Sequence, residues 1–271
     1  MSNIGEAFQK GKAFIGFVTG GDPSIEKTET FILEMVRAGA DLVEIGIPFS
    51  DPIAEGPVIQ RANIRALSAG ATTDKLFSLV EKLRRNITTP LVFLTYLNPV
   101  FSYGYDRFFK RCRETGVDGI IFPDLPFEEQ GEVRDVSAAC GVDLISLISP
   151  TSEDRIREIA RAAAGFLYLV SSLGVTGVRG EIKTDLAAMV QAVRSAMDGA
   201  GAAAKLPVAV GFGIHTPAQA AEIAKTADGV IVGSAIVKII EDRGEDAAGY
   251  IYDYVKEMKE AVRASEAKAG K

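Results

Sequence analysis

Eight short apolar runs, rich in Val, Ile, Leu and Phe, recur along the chain at residues 14–19, 41–47, 90–96, 119–125, 143–149, 165–172, 207–213 and 229–235. Runs of this length fit strands buried on both faces, as in parallel sheets covered by helices. The segments between them carry helical periodicity. Leu76, Leu79, Val80 and Leu83 fall at i, i+3, i+4 and i+7, with Glu81, Lys82, Arg84 and Arg85 on the other side. Thr216 ahead of Pro217 reads as a helix start, Thr151 with Asp154 as a capping box, and Ile251, Tyr254, Val255, Met258 and Val262 as a closing amphipathic helix. Eight strands alternating with helices close into a barrel or open into a doubly wound sheet. The count, the even spacing and the absence of GxGxxG after the first strand, where the turn reads Thr19-Gly20-Gly21-Asp22-Pro23, favour the barrel. The expectation is an α/β chain folded as one (β/α)8 TIM barrel over residues 1–265, with a frayed tail at 266–271. The Ala/Gly-rich stretch 199–205 is expected to connect a helix to strand seven, not to mark a domain boundary.

A hydrophobic fraction of 47% over 271 residues supplies a large core. The balance of 30 basic and 36 acidic residues, with no basic run beyond Arg84-Arg85, argues against a nucleic-acid footprint. Cys112 and Cys140 stand apart, with no CxxC, and are expected to be buried thiols. The N-terminus lacks the apolar run of a signal peptide and no stretch is long enough to span a bilayer, so a soluble cytoplasmic protein is expected. His215 is the only histidine, which excludes multi-histidine metal sites, and no metal is expected. Proton transfer must then fall to carboxylates, a tyrosine or a lysine.

In such a barrel, chemistry gathers where strands end. Strand two alternates Val43, Ile45 and Ile47 against Leu42, Glu44 and Gly46, which places a carboxylate in mid-strand. A buried Glu in a salt bridge would be the plain explanation. The loop that follows, punctuated by Pro and Gly and carrying Asp51 and Glu55, points instead to a catalytic edge. After strand six, residues 171–180 contain three glycines and read as a candidate lid or as a long connector. Strands seven and eight finish in Gly211-Phe212-Gly213 and Gly233-Ser234-Ala235, where close backbone approach and a helix start would cradle a phosphate. Glycines that merely turn the chain would look similar. His215 is read as a surface residue beside the Thr216 cap, without a role.

Taken together these segments closely resemble the α subunit of tryptophan synthase over nearly the whole chain. The resemblance is carried by Phe17-Val-Thr, Gly21-Asp-Pro, Glu44-Ile-Gly-Ile-Pro-Phe-Ser-Asp51-Pro52, Gly56-Pro57 and Tyr96-Leu-Asn-Pro99. It continues in Pro123-Asp124-Leu-Pro126, Tyr168-Leu-Val-Ser, Gly174-Val-Thr-Gly177, Gly211-Phe-Gly213 and Gly233-Ser-Ala-Ile-Val-Lys238. It implies cleavage of indole-3-glycerol phosphate to indole and glyceraldehyde 3-phosphate, in an α–β–β–α complex whose β subunit holds pyridoxal phosphate. This chain itself would need no cofactor.

The reaction requires a proton on the indole carbon that bears the glycerol chain, a base for the adjacent hydroxyl, and a carboxylate near the ring nitrogen as positive charge appears there. By resemblance Glu44 is the proton shuttle, with a pKa raised by its apolar setting, and Glu55 pairs with the ring N–H. Tyr168 would place a hydroxyl near Glu44. Phe17, Leu94, Tyr96 and Phe212 would hold the indole, while Gly177, Gly213, Gly233 and Ser234 close on the phosphate and Thr176 joins the lid to the loop acid. Asp51 and Asp124 are expected to be structural or partner-facing. The chain departs from the family at Ala54-Glu55-Gly56-Pro57, where the pattern has ADGP. The extra methylene leaves three readings open: a repositioned loop, a slow enzyme, or a subunit that mainly binds and activates its β partner. A stand-alone lyase is a further alternative.

Overall fold

The computed structural model describes residues 2–149, 153–170, 186–199, 206–211 and 213–269. Eight parallel strands close in chain order: β1 (Ala13–Thr19), β2 (Leu42–Gly46), β3 (Leu91–Leu94), β4 (Gly119–Ile121), β5 (Asp143–Ile148), β6 (Leu167–Val170), β7 (Val208–Gly211) and β8 (Gly229–Val232), with β8 pairing back onto β1. The helices among the described residues are α1 (Ile25–Ala38), α2 (Pro57–Ser68), α3 (Thr73–Leu83), α4 (Leu97–Tyr103), α5 (Tyr105–Thr115) and α6 (Gly131–Cys140). They continue as α7 (Glu153–Ala162), α8 (Leu186–Gly199), α9 (Pro217–Ala224), α10 (Ser234–Arg243) and α11 (Ala247–Ala269).

Each expected apolar run matches one strand, with β1 starting a residue earlier, at Ala13, and several strands stopping short of the run's end. At β3 the cause is visible: the backbone turns after Leu94 into α4, and the Leu97 N–H donates to the Asp124 carboxylate at 3.0 and 3.1 Å. The (β/α)8 TIM barrel is therefore the fold.

Strand alternation divides the core into two shells. Ile15, Leu42, Val92, Ile121, Ile145 and Ile231 point into the barrel. Their neighbours Phe14, Val43, Phe93, Ile120, Leu144 and Val230 point outward and pack under the helices. Leu76, Leu79, Val80 and Leu83 of α3 are fully buried, as their spacing predicts. In α11, Ile251, Val255, Met258 and Val262 are buried, Tyr254 packs against the same core, and the helix continues to Ala269. Thr216 and Gln219 form a complete capping box on α9; the box expected at Thr151 lies outside the described residues. Cys112 is buried and Cys140 half-buried, both as free thiols.

The bottom of the barrel is plugged by a 3-10 turn, Ile4–Phe8, to which the sequence reading assigned no element. Ile4 and Ala7 join the inner core, and the Phe8 ring sits 5.7 Å from that of Phe166. With the bottom filled, the described cavity lies toward the end where the strands finish. No helix among the described residues is long and apolar enough to cross a membrane.

Candidate active site

Glu44 sits in the middle of β2 on the inner face, between Leu42 and Gly46, and is 1% exposed. Among the described residues its Oε1 has no hydrogen-bond partner. Burial without a counter-charge opposes ionisation, and it pushes the Glu44 pKa up from 4.5 to about 8. At pH 7 this side chain is a neutral acid with a proton to give.

Above it lies a cavity that encloses, with its open mouth, roughly 770 Å³. Inward positions of six strands form its wall: Phe17, Leu94, Ile121, Leu147, Tyr168 and Ile231. Small residues set the positions of the two aromatic groups. A Cβ on Gly46 would stand 2.8 Å from Phe17 Cζ and one on Gly233 would stand 3.3 Å from Phe17 Cδ1, so the ring occupies a slot between them. A side chain on Gly211 would collide with the Tyr168 phenol. Burial, and then the neighbouring Glu44, hold that phenol firmly protonated.

Loop two brings the second acid. Glu55 lines the cavity just ahead of α2, and its Oε2 accepts a hydrogen bond of 2.6 Å from Asn63 Nδ2. Burial raises its pKa to about 7, and the Asn63 donor works against that rise. Its backbone carbonyl accepts from Gln60 Nε2 at 2.8 Å. The preceding Ala54 N–H donates to Tyr96 Oη at 2.9 Å. Tyr96, expected to hold the indole, does not line the cavity. It stands behind loop two with its ring 5.4 Å from Phe49, because the chain has already left β3 at that point. Asp124 caps the start of α4, whereas Asp51 is exposed on the outer side of loop two.

The opposite rim is formed by Gly213, Gly233, Ser234 and Ala235. Gly213 adopts φ +80°, and His215 Nδ1 lies 3.0 Å from its carbonyl oxygen. In α10 the first bond back is from Val237 N to Gly233 O, so the N–H groups ahead of it have no intrahelical acceptor. With the positive end of the helix dipole, this rim suits an anion. Thr176, Gly177 and Phe212 lie outside the described residues, as does the candidate lid.

Sequence reasoning missed Asn63, and also the walls Ile121, Leu147 and Ile231. For the walls, the signal was the period-two alternation already applied to β2. For Asn63 it was a place on the buried stripe of α2 beside Ile59, Ala62 and Ala66. No group of three or more His, Cys, Asp or Glu among the described residues is arranged to hold a metal ion.

Comparison with known proteins points to one family. The family model described as "Tryptophan synthase alpha chain" matches residues 5–266. The tryptophan synthase alpha chain of Lactiplantibacillus plantarum is 49% identical over 263 residues, covering 97% of each chain. The crystal structure of the α subunit from Legionella pneumophila superposes with a TM-score of 0.83 at 37% identity, over 97% of this chain and 99% of that one. A structure concerned with mutual activation in the α2β2 complex of Pyrococcus furiosus superposes with a TM-score of 0.80 at 32% identity, over 92% and 99%. An inward acid on β2, an apolar cavity and an anion rim thus stand in a chain that matches one family almost end to end, and the chain belongs to the tryptophan synthase alpha chain family.

Proposed function

We propose that Glu44 carries both proton transfers in the cleavage of indole-3-glycerol phosphate to indole and glyceraldehyde 3-phosphate, the lyase reaction of this family. Neutral Glu44 donates its proton to the indole carbon bearing the glycerol chain, and the ring nitrogen takes up positive charge. The resulting carboxylate then removes the proton from the adjacent hydroxyl. The O–H electrons form the aldehyde, the carbon–carbon bond breaks, and its electrons return to the ring. Indole leaves neutral and Glu44 ends protonated, as it began.

Glu55, when ionised, accepts the ring N–H and offsets the charge that develops there. Tyr168 sets the polar edge beside Glu44. Phe17, Leu94 and the other strand residues of the wall hold the ring. Gly213, Gly233 and Ser234 bind the phosphate through backbone N–H groups, and Thr176, Gly177 and Phe212 complete the enclosure.

One observation carries this reading: a fully buried Glu44 with an unpartnered oxygen, facing an apolar cavity that opens on an anion rim. Its test is indole release by the purified chain, with and without Glu44→Gln. Loss of turnover is expected, and an active variant would remove Glu44 from the mechanism.

The chain works with a β subunit that holds the pyridoxal phosphate, and needs no cofactor of its own. Exposed Ile53 on loop two and Phe101 on α4, 75% and 66% accessible, support a partner on this side. The family's α2β2 assembly in Pyrococcus furiosus supports it as well. Residues 1–265 act as one catalytic unit in the cytoplasm, with 266–271 as its tail.

A further inference from the structure

We infer that Asn63, on α2, is a positioning residue for the loop-two acid: its amide holds one carboxylate oxygen of Glu55 and leaves the other for the substrate. This rests on the role given to Glu55 above and adds the device by which the fold enforces it. Asn63 is 4% exposed and lies two turns into α2, while Glu55 precedes the helix. The acid must fold back along the helix to meet it, and the 2.6 Å contact spans eight residues of chain. A second amide of the same helix, Gln60, holds the Glu55 carbonyl. Loop two is thus tied at side chain and backbone to one rigid element.

The anchoring extends beyond α2. Arg65, two residues after Asn63 on the same helix, makes two bonds of 2.8 Å to the buried carboxylate of Asp22 in the turn that follows β1. It also reaches Glu241 of α10 at 3.3 Å, the helix whose start forms the anion rim. The helix that holds the Glu55 carboxylate is therefore itself fixed against the turn after β1 and against α10. A group fixed this way keeps its reach when the cavity fills.

Chemistry gives Asn63 a second consequence. The titratable groups facing Glu55 are Glu44 and Tyr168 across the cavity, and Tyr96 behind the loop with Asp124 beyond it. The described lining contains no Lys, Arg or His. Among the described residues, the amide N–H of Asn63 is the contact that favours the ionised form, the form needed to accept from a ring N–H.

The test is the pH dependence of kcat/KM for indole release in Asn63→Ala and in the near-isosteric Asn63→Asp, with Glu44→Gln assayed alongside. A hydrogen bond to a charged group is worth on the order of one pKa unit, so Asn63→Ala should move the acid limb up by about one unit. That predicts a loss of about tenfold at pH 6 and less than about twofold at pH 8.5. Asn63→Asp sets a second carboxyl against Glu55 and should move the limb further, and it decides the matter if the alanine variant fails to fold. A loss equal at both pH values, or no change, would overturn the inference. Should Glu44→Gln stay active, the mechanism itself fails, which is a separate outcome.

Discussion

Glu44→Gln should make the protein more stable as it makes it inactive, and the gain should depend on pH in a defined way. In the unfolded chain Glu44 ionises near 4.5, whereas in the fold it holds its proton to about 8. Between those values folding must return a proton to the side chain, so stability falls as pH rises. The penalty is absent below the unfolded pKa, grows by about 1.4 kcal/mol per pH unit, and is complete above the folded pKa. Glu44 is fully buried, so no solvent screening reduces the effect. The wild type should carry a penalty of under about 1 kcal/mol at pH 5, about 3 at pH 7 and more than about 4 at pH 8.5. Glutamine is uncharged throughout, and its own burial cost is the same at every pH. Urea unfolding of both proteins at these three values separates the terms, since Glu55 contributes alike to each. The difference in unfolding free energy should widen in favour of the variant by about 3 kcal/mol or more from pH 5 to pH 8.5. A difference constant with pH would mean that Glu44 ionises in the fold as it does in water, and the neutral-acid mechanism would fall.

Wild-type kcat/KM should be bell-shaped, falling below about pH 7 as Glu55 takes a proton and above about pH 8 as Glu44 loses its own. A profile flat from pH 6 to 9 would contradict both assignments. Glu55→Asp withdraws the carboxylate from Asn63 by one methylene, so kcat should drop by about tenfold to a hundredfold. A faster variant would instead mark Glu55 as a handicap. Gly46→Ala puts a methyl group 2.8 Å from Phe17 Cζ and must drive that ring into the cavity. Substrate KM should rise by roughly tenfold with a near-normal melting temperature, and an unchanged KM would show that the ring is not a wall of the binding site.

Much of the architecture was legible because a parallel barrel leaves a strong trace: strands buried on both faces are continuous apolar runs, and the helices between them show one apolar stripe. Glu44 was legible for the same reason, as a charge in mid-strand where alternation demanded an inward residue. Strand ends were overextended because apolar residues such as Tyr96 and Phe122 continue into the loops, where they pack but no longer pair. Past the end of β3, the Tyr96 hydroxyl accepts from the Ala54 N–H and supports loop two. The 3-10 plug escaped notice because five residues leave no periodicity to detect.

The chemistry asks opposite things of two carboxyl groups that share one apolar cavity, and neither composition nor strand pattern says how they are told apart. Burial alone would leave both protonated at neutral pH, which serves Glu44 and disables Glu55. No lysine, arginine or histidine in the described lining resolves the conflict. A cation there would also favour ionisation of Glu44, the group that must keep its proton, since charge acts across several ångströms. A single hydrogen bond acts only at contact. Asn63 reaches Glu55, while among the described residues Glu44 Oε1 has no partner, so a neutral donor placed on one acid helps separate acid from acceptor within the same walls.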